Sequence, residues 1–264
     1  MDSRIKTLKN ETSVRWTRRL LYLANAIFFV FFISMLVYPS IVATLMQGIE
    51  FLKLRLRKLN QVEVIILVAL IFLIGTTLSV KVKKWRPVFI YLTALLLMTP
   101  CIPHIEVFLA KLLKITLRSL GSYTQMVTLL AMGSFLLLVL IRNQRYRYGR
   151  TYIALLAIVL GSAFVIKKLT SAAVETVHIV EYGGLAIVSF SVYRRQLKDR
   201  TLLECYLLSW DTTIIMGILD ELYQLILPLR YCDIDDMLDN ISSGIIGLVF
   251  VWGFLRPDQK RRQS

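Results

Sequence analysis

Across 264 residues the chain carries 56% hydrophobic and only 19% charged side chains, with a mean hydropathy of +0.64. That balance excludes an ordinary soluble domain and assigns the chain to a bilayer. Lysine and arginine number 32 against 17 aspartate and glutamate, a net charge of +15; the excess gathers at the ends of apolar runs, with no zinc-finger spacing, RNP-like aromatic pattern or basic recognition helix, so it does not point to nucleic acid.

A helix needs an apolar window of about 18 residues to cross ~30 Å of hydrocarbon. In chain order that rule gives candidates at 20–38, 62–80, 87–106, 124–141, 151–166, 174–193, 202–226 and 237–255. The predicted fold is therefore an all-α, polytopic membrane bundle of about eight transmembrane helices. The third candidate is interrupted by TPCIPH, and the sixth opens on Glu175 and His178. Before the first lies a basic tail, as in a secretory signal. The run is long, however, no small-residue cleavage site follows it, and Pro39 leads straight into SIVATLMQGIEFLKLRLRK, so it is expected to remain as an anchor.

Lysine and arginine set the orientation. They crowd residues 1–19, KVKKWR after the second span, RNQRYRYGR after the fourth, RRQLKDR after the sixth and KRR after the eighth. These alternate segments read as cytoplasmic, with both termini inside. FLKLRLRKL at 51–59 breaks the pattern by placing Lys53, Arg55, Arg57 and Lys58 outside. Two readings accommodate it: an interfacial segment on anionic head groups, with VFLAKLLKITLR at 107–118 as a second, or a re-entrant dip after Pro39. The organisation expected is a basic tail at 1–19, five membrane helices over 20–166, a three-helix region over 167–255 and a basic tail at 256–264.

Cys101, Cys205 and Cys232 are odd in number and far apart, and are read as unpaired. No Walker loop, G-x-G-x-x-G, G-x-S-x-G or H-E-x-x-H is present.

Chemistry concentrates in the last three spans. Glu175, His178 and Tyr182 share one helical stripe of the sixth, flanked by Glu181; Asp220 and Gln224 lie one turn apart in the seventh beside Glu221. Pro228 and Arg230 follow in the loop, and the eighth span opens with Asp236 and Asn240 above Ser243, Gly244 and Gly247. The predicted topology delivers all these polar groups to the outer face, and the small residues allow close helix approach. Ionisable groups at membrane depth pair, bind an ion or do chemistry.

The order E-x-x-H-x-x-E-Y, D-E-x-x-Q, P-x-R and D-x-x-x-N resembles the VanZ-like family of bacterial membrane proteins, over about residues 165–252. The positions that carry it are His178, Glu181, Tyr182, Asp220, Glu221, Gln224, Pro228, Arg230, Asp236 and Asn240. The chain departs from the family pattern at Leu229 and Ser243, where glycine is common, and at Glu175, where a basic residue is common. The resemblance implies a multi-pass protein of the bacterial plasma membrane, an envelope or lipid role, and an association with lowered susceptibility to teicoplanin-type lipoglycopeptides.

Three readings of the cluster stand open. In one, the polar groups are a structural network that fixes three helices in register. In the second, His178 and Glu221, with Glu181 nearby, supply base and acid for hydrolysis or transfer on a lipid-linked substrate. There Asp220 orients the histidine, and Tyr182, Gln224, Asp236 and Asn240 line the substrate. Arg230, one edge anchored by Asp236 or Glu221, grips a phosphate or carboxylate. No cofactor is expected, although a hard divalent cation on Asp220, Glu221 and Asp236 fits better than zinc. In the third, the site binds or carries an anionic lipid, a lipid-linked cell-wall precursor or a lipoglycopeptide, and Asp211 beside Trp210 is a mid-bilayer proton relay or the partner of a neighbouring hydroxyl. Membrane lipids are partners in all three.

Overall fold

A computed structural model describes residues 2–37, 39–55, 58–142, 149–169 and 173–255. Ten α-helices and no strand occur among these residues: α1 (Asp2–Val37), α2 (Pro39–Arg55), α3 (Gln61–Lys81), α4 (Arg86–Met98), α5 (Ile102–Leu113), α6 (Leu117–Arg142), α7 (Gly149–Lys168), α8 (His178–Gln196), α9 (Leu202–Ile226) and α10 (Ile234–Phe254). Helix is the expected answer to a bilayer, because only a helix or a closed barrel satisfies every backbone polar group without water. Polar caps mark where several begin. Asn60 with Glu63 and Thr201 with Glu204 form reciprocal capping boxes at the starts of α3 and α9.

Seven helices are long and apolar enough to cross a membrane, and a bent pair makes an eighth. The bend falls at TPCIPH, where α4 and α5 meet at 59°. Pro103 sits in the first turn of α5. A proline there fits a new helix and disfavours continuation of the old one through the residues before it.

Side-chain contacts fix the sense of each helix. At one end Arg18 of α1 pairs with Glu204 of α9 at 3.0 Å, and Arg200 pairs with the same carboxylate. Trp85 packs edge-on against Tyr193 of α8, and Thr151 of α7 donates to the Gly253 carbonyl of α10. At the other end Thr99 reaches Asp220 of α9, so α4 traverses the bundle antiparallel to α8. The start of α1's apolar run and the finish of α10 thus lie at the Arg18 end, as an even number of crossings requires.

The described end of the basic segment that strained the topology, Lys58 and Leu59, lies at the opposite, Arg230 end. The Lys58 ammonium donates to the carbonyls of Gln224 (3.4 Å), Leu227 (2.9 Å) and Arg230 (2.8 Å), and the Leu59 amide donates to Ile226 at 3.0 Å. A helix leaves its last carbonyls without partners and its C-terminus partly negative; Lys58 satisfies both needs for α9. Since α1 ends at this level and Lys58 returns to it, α2 runs along that end, its Ile41, Val42, Met46 and Ile49 packed on the core. Arg57 lies outside the described residues.

The centre of the bundle is α10, whose apolar window is 67% buried, against 6% for α6. Its small face admits α8 to backbone contact. A Cβ on Gly183 would lie 3.3 Å from the Ser243 carbonyl, and one on Gly247 would overlap the Gly183 backbone. Around this centre, α1, α3, α6 and α7 turn residues such as Ile65, Leu73, Leu138 and Leu160 outward, as lipid-facing helices do.

The two ends make a topological prediction. With Cys101, the exposed native thiol, replaced by serine, an impermeant thiol reagent should label Tyr231→Cys on intact cells and leave Lys198→Cys untouched. Labelling of Lys198→Cys alone reverses the orientation that the basic residues predict.

Candidate functional site

The polar blocks of α8, α9 and α10 meet at the Arg230 end, but they separate into two groups. The first is a closed hydrogen-bond network. Asp220 accepts from the Thr99 hydroxyl at 2.7 Å, the Tyr182 hydroxyl at 3.1 Å and the Gln224 amide at 3.3 Å. Glu221, wholly buried, accepts from Gln224 at 2.7 Å and from the Asp233 backbone amide at 3.1 Å. Asp233 in turn caps α10 by accepting from the Asp235 amide. Helices α4, α8, α9 and the start of α10 are joined through these two carboxylates.

The second group lines a cavity of about 370 Å³ whose wall includes Glu106, Glu175, His178, Arg230, Asp233 and Asp236. That volume lies within the small-molecule range of roughly 300–1,000 Å³. Gln224 belongs to both groups. His178 is buried, with Nδ1 held 3.1 Å from Glu181 Oε2. Asp236 is also buried, and its Oδ1 has no hydrogen-bond partner; the same is true of Glu106 Oε1 and Arg230 Nε. Unpaired buried polar atoms are costly and uncommon, and here three of their residues share one cavity wall.

The loop between α9 and α10 aims Arg230. Leu227 is buried, Pro228 follows, and Leu229 has φ of 61°, a left-handed conformation that costs a side-chain-bearing residue roughly 1–2 kcal/mol relative to glycine. Lys58 pins the turn by binding the Arg230 carbonyl. The guanidinium is set at the cavity while its backbone is held from the other side.

Several expected roles are corrected. Asp220 does not orient His178, because its oxygens are taken by Thr99, Tyr182 and Gln224; Glu181, one turn along the same helix, holds the imidazole instead. Neither Asp236 nor Glu221 forms an ion pair with Arg230 among the described residues, and Glu221 faces the loop amide. Tyr182 is buried in the network and Asn240 in the bundle against Gly217, so neither lines the cavity. Asp211 accepts from the Asn25 amide at 3.3 Å, so its partner is an amide of the first span and not a hydroxyl. No three carboxylate, imidazole or thiol groups converge for a metal among the described residues.

Thr99, Glu106 and Lys58 were missed. Thr99 opens the TPCIPH break and Glu106 lies just beyond it, and that interruption is their one signal. Lys58 lay in a segment whose excess positive charge was visible, although its carbonyl partners were not.

Comparison of the chain with protein-family models, with curated proteins and with solved structures finds no match. The functional reading rests on the cavity and on the residues around it.

Proposed function

We propose that this protein is a VanZ-like component of the bacterial plasma membrane whose outer-face cavity binds the polar head of a lipid or lipid-linked envelope molecule. The observation that carries the reading is a cavity of head-group size whose wall combines a guanidinium with an unpartnered Nε, a buried imidazole and carboxylates. The ordered polar blocks of the sequence support the family, and Leu229 adds to that support. Its positive φ falls where the family pattern commonly has glycine, the residue that conformation favours. Lowered susceptibility to lipoglycopeptides would follow from altered surface lipid or precursor.

In this reading Asp220, Glu221, Tyr182 and Gln224 hold the helices, while Arg230, His178 and Asp236 meet the ligand. A second reading is favoured by the His178–Glu181 pair: a carboxylate-held imidazole on a cavity wall is the arrangement of a general base, and would serve hydrolysis or transfer on the same lipid.

Native mass spectrometry of protein released from lipid nanodiscs tests the binding reading. Wild type should retain tightly held lipid, and Arg230→Ala should lose it with little change in melting temperature. Arg230→Lys should be nearly as poor, because lysine keeps the charge but loses the planar fork. Equal retention by wild type and Arg230→Ala removes the cavity as a lipid site.

A further inference from the structure

We infer that the cavity selects a zwitterionic head group, an ammonium bearing N–H donors joined to a phosphate, as in an ethanolamine phospholipid. The inference rests on the head-group reading above and adds the ligand's charge pattern. Among the described wall residues, Arg230 and His178 stand with four carboxylates, Glu106, Glu175, Asp233 and Asp236. A purely anionic head would satisfy the guanidinium and set its charge against the carboxylates. A simple cation would satisfy the carboxylates and leave the Arg230 Nε without an acceptor.

The unpartnered atoms carry the same two signs. Arg230 Nε is a buried donor without an acceptor, while Asp236 Oδ1 and Glu106 Oε1 are buried acceptors without donors. Asp236 is only 8% exposed, and an acceptor left without a hydrogen bond at so buried a residue is expensive. A phosphate accepts from the guanidinium, and an ammonium with three N–H donors supplies the carboxylates. A quaternary ammonium has no N–H to give and is normally held by a cage of aromatic rings. The described wall has one such ring, Tyr231, which disfavours a choline head.

The lipid source is favoured over a soluble one by the cavity's place at a bundle end, walled partly by Ile102 and Glu106 of the bent α5.

The test uses the full chain in nanodiscs containing equal parts of phosphatidylethanolamine, phosphatidylcholine and phosphatidylglycerol, with retained lipid counted by native mass spectrometry. Wild type should favour the ethanolamine lipid over each of the others by about tenfold, as expected for loss of one charge-assisted hydrogen bond. Glu106→Gln and Asp236→Asn should each reduce that preference several-fold. The first change is on a half-buried residue outside the interhelical network, so it reports even where the second disturbs folding. Equal retention of ethanolamine and choline lipids overturns the inference, as does an Arg230-dependent preference for phosphatidylglycerol. Either result leaves the head-group site standing, whereas lipid retention indifferent to Arg230→Ala removes both. If soluble phosphoethanolamine displaces the lipid at equal concentration, the ligand is a free metabolite and the lipid assignment falls.

Discussion

Asp220→Ala is expected to lower bundle stability by on the order of 2–5 kcal/mol, the scale for stranding two buried hydrogen-bond donors. The carboxylate joins three helices: Thr99 beyond the end of α4, Tyr182 in α8 and its own neighbour Gln224 in α9. Alanine strands the Tyr182 hydroxyl and one N–H of the Gln224 amide in a region poor in water, while Thr99 keeps the Leu95 carbonyl and Gln224 keeps Glu221; each stranded donor costs about 1–3 kcal/mol. Thermal unfolding in detergent should show the loss directly. Thr99→Val removes a single donor and should cost roughly 1 kcal/mol, giving a graded series. An Asp220→Ala protein that melts with wild type but retains no lipid would move Asp220 from the scaffold to the ligand.

Gly247→Val should be comparably damaging for a different reason. A side chain there overlaps the backbone of Gly183, not the tip of a flexible residue, so relief requires α8 and α10 to part. Overpacking ordinarily costs 1–3 kcal/mol, and about 3 kcal/mol or more is expected where the obstacle is main chain. The α8–α10 seam also sets the spacing of His178 and Asp236 across the cavity, so ligand retention should fall with stability. Gly133→Ala is the control. Nothing lies within 4 Å of a Cβ at that position, and replacing a helical glycine by alanine is favourable by about 1 kcal/mol. Loss of stability in the control but not in Gly247→Val would contradict the packing argument.

Much of the bundle was legible because a bilayer leaves so few choices. Apolar runs had to be helices, basic segments ranked the two ends, and small residues in α10 marked its close seam. The convergence of α8, α9 and α10 followed from counting crossings. The partners of individual side chains were less accessible. Thr99 and Asp220 are 121 residues apart, and Asn25 and Asp211 are 186 apart; their meeting depends on how each helix is rotated about its axis, which packing decides and periodicity does not. The His178–Glu181 pair, by contrast, has local i,i+3 spacing. The sequence reading gives the orienting role to Asp220, an acid whose oxygens Thr99, Tyr182 and Gln224 occupy instead. Lys58 shows the same limit, since its surplus charge was evident while the carbonyls it serves lie 166 to 172 residues away.

The 59° bend between α4 and α5 also bears on how a ligand arrives. Because α4 ends at the level of Asp220, α5 turns away along the bundle end and contributes Ile102 and Glu106 to the cavity wall. On the head-group reading, a lipid in the leaflet at the Arg230 end would meet this wall sideways, with its tails still among their neighbours and only the head leaving the crowd. Its encounter is a search in two dimensions that never requires extraction into water. Tight affinity is then unnecessary, since candidate molecules are always adjacent, and discrimination rests on the ratio by which one head outcompetes another.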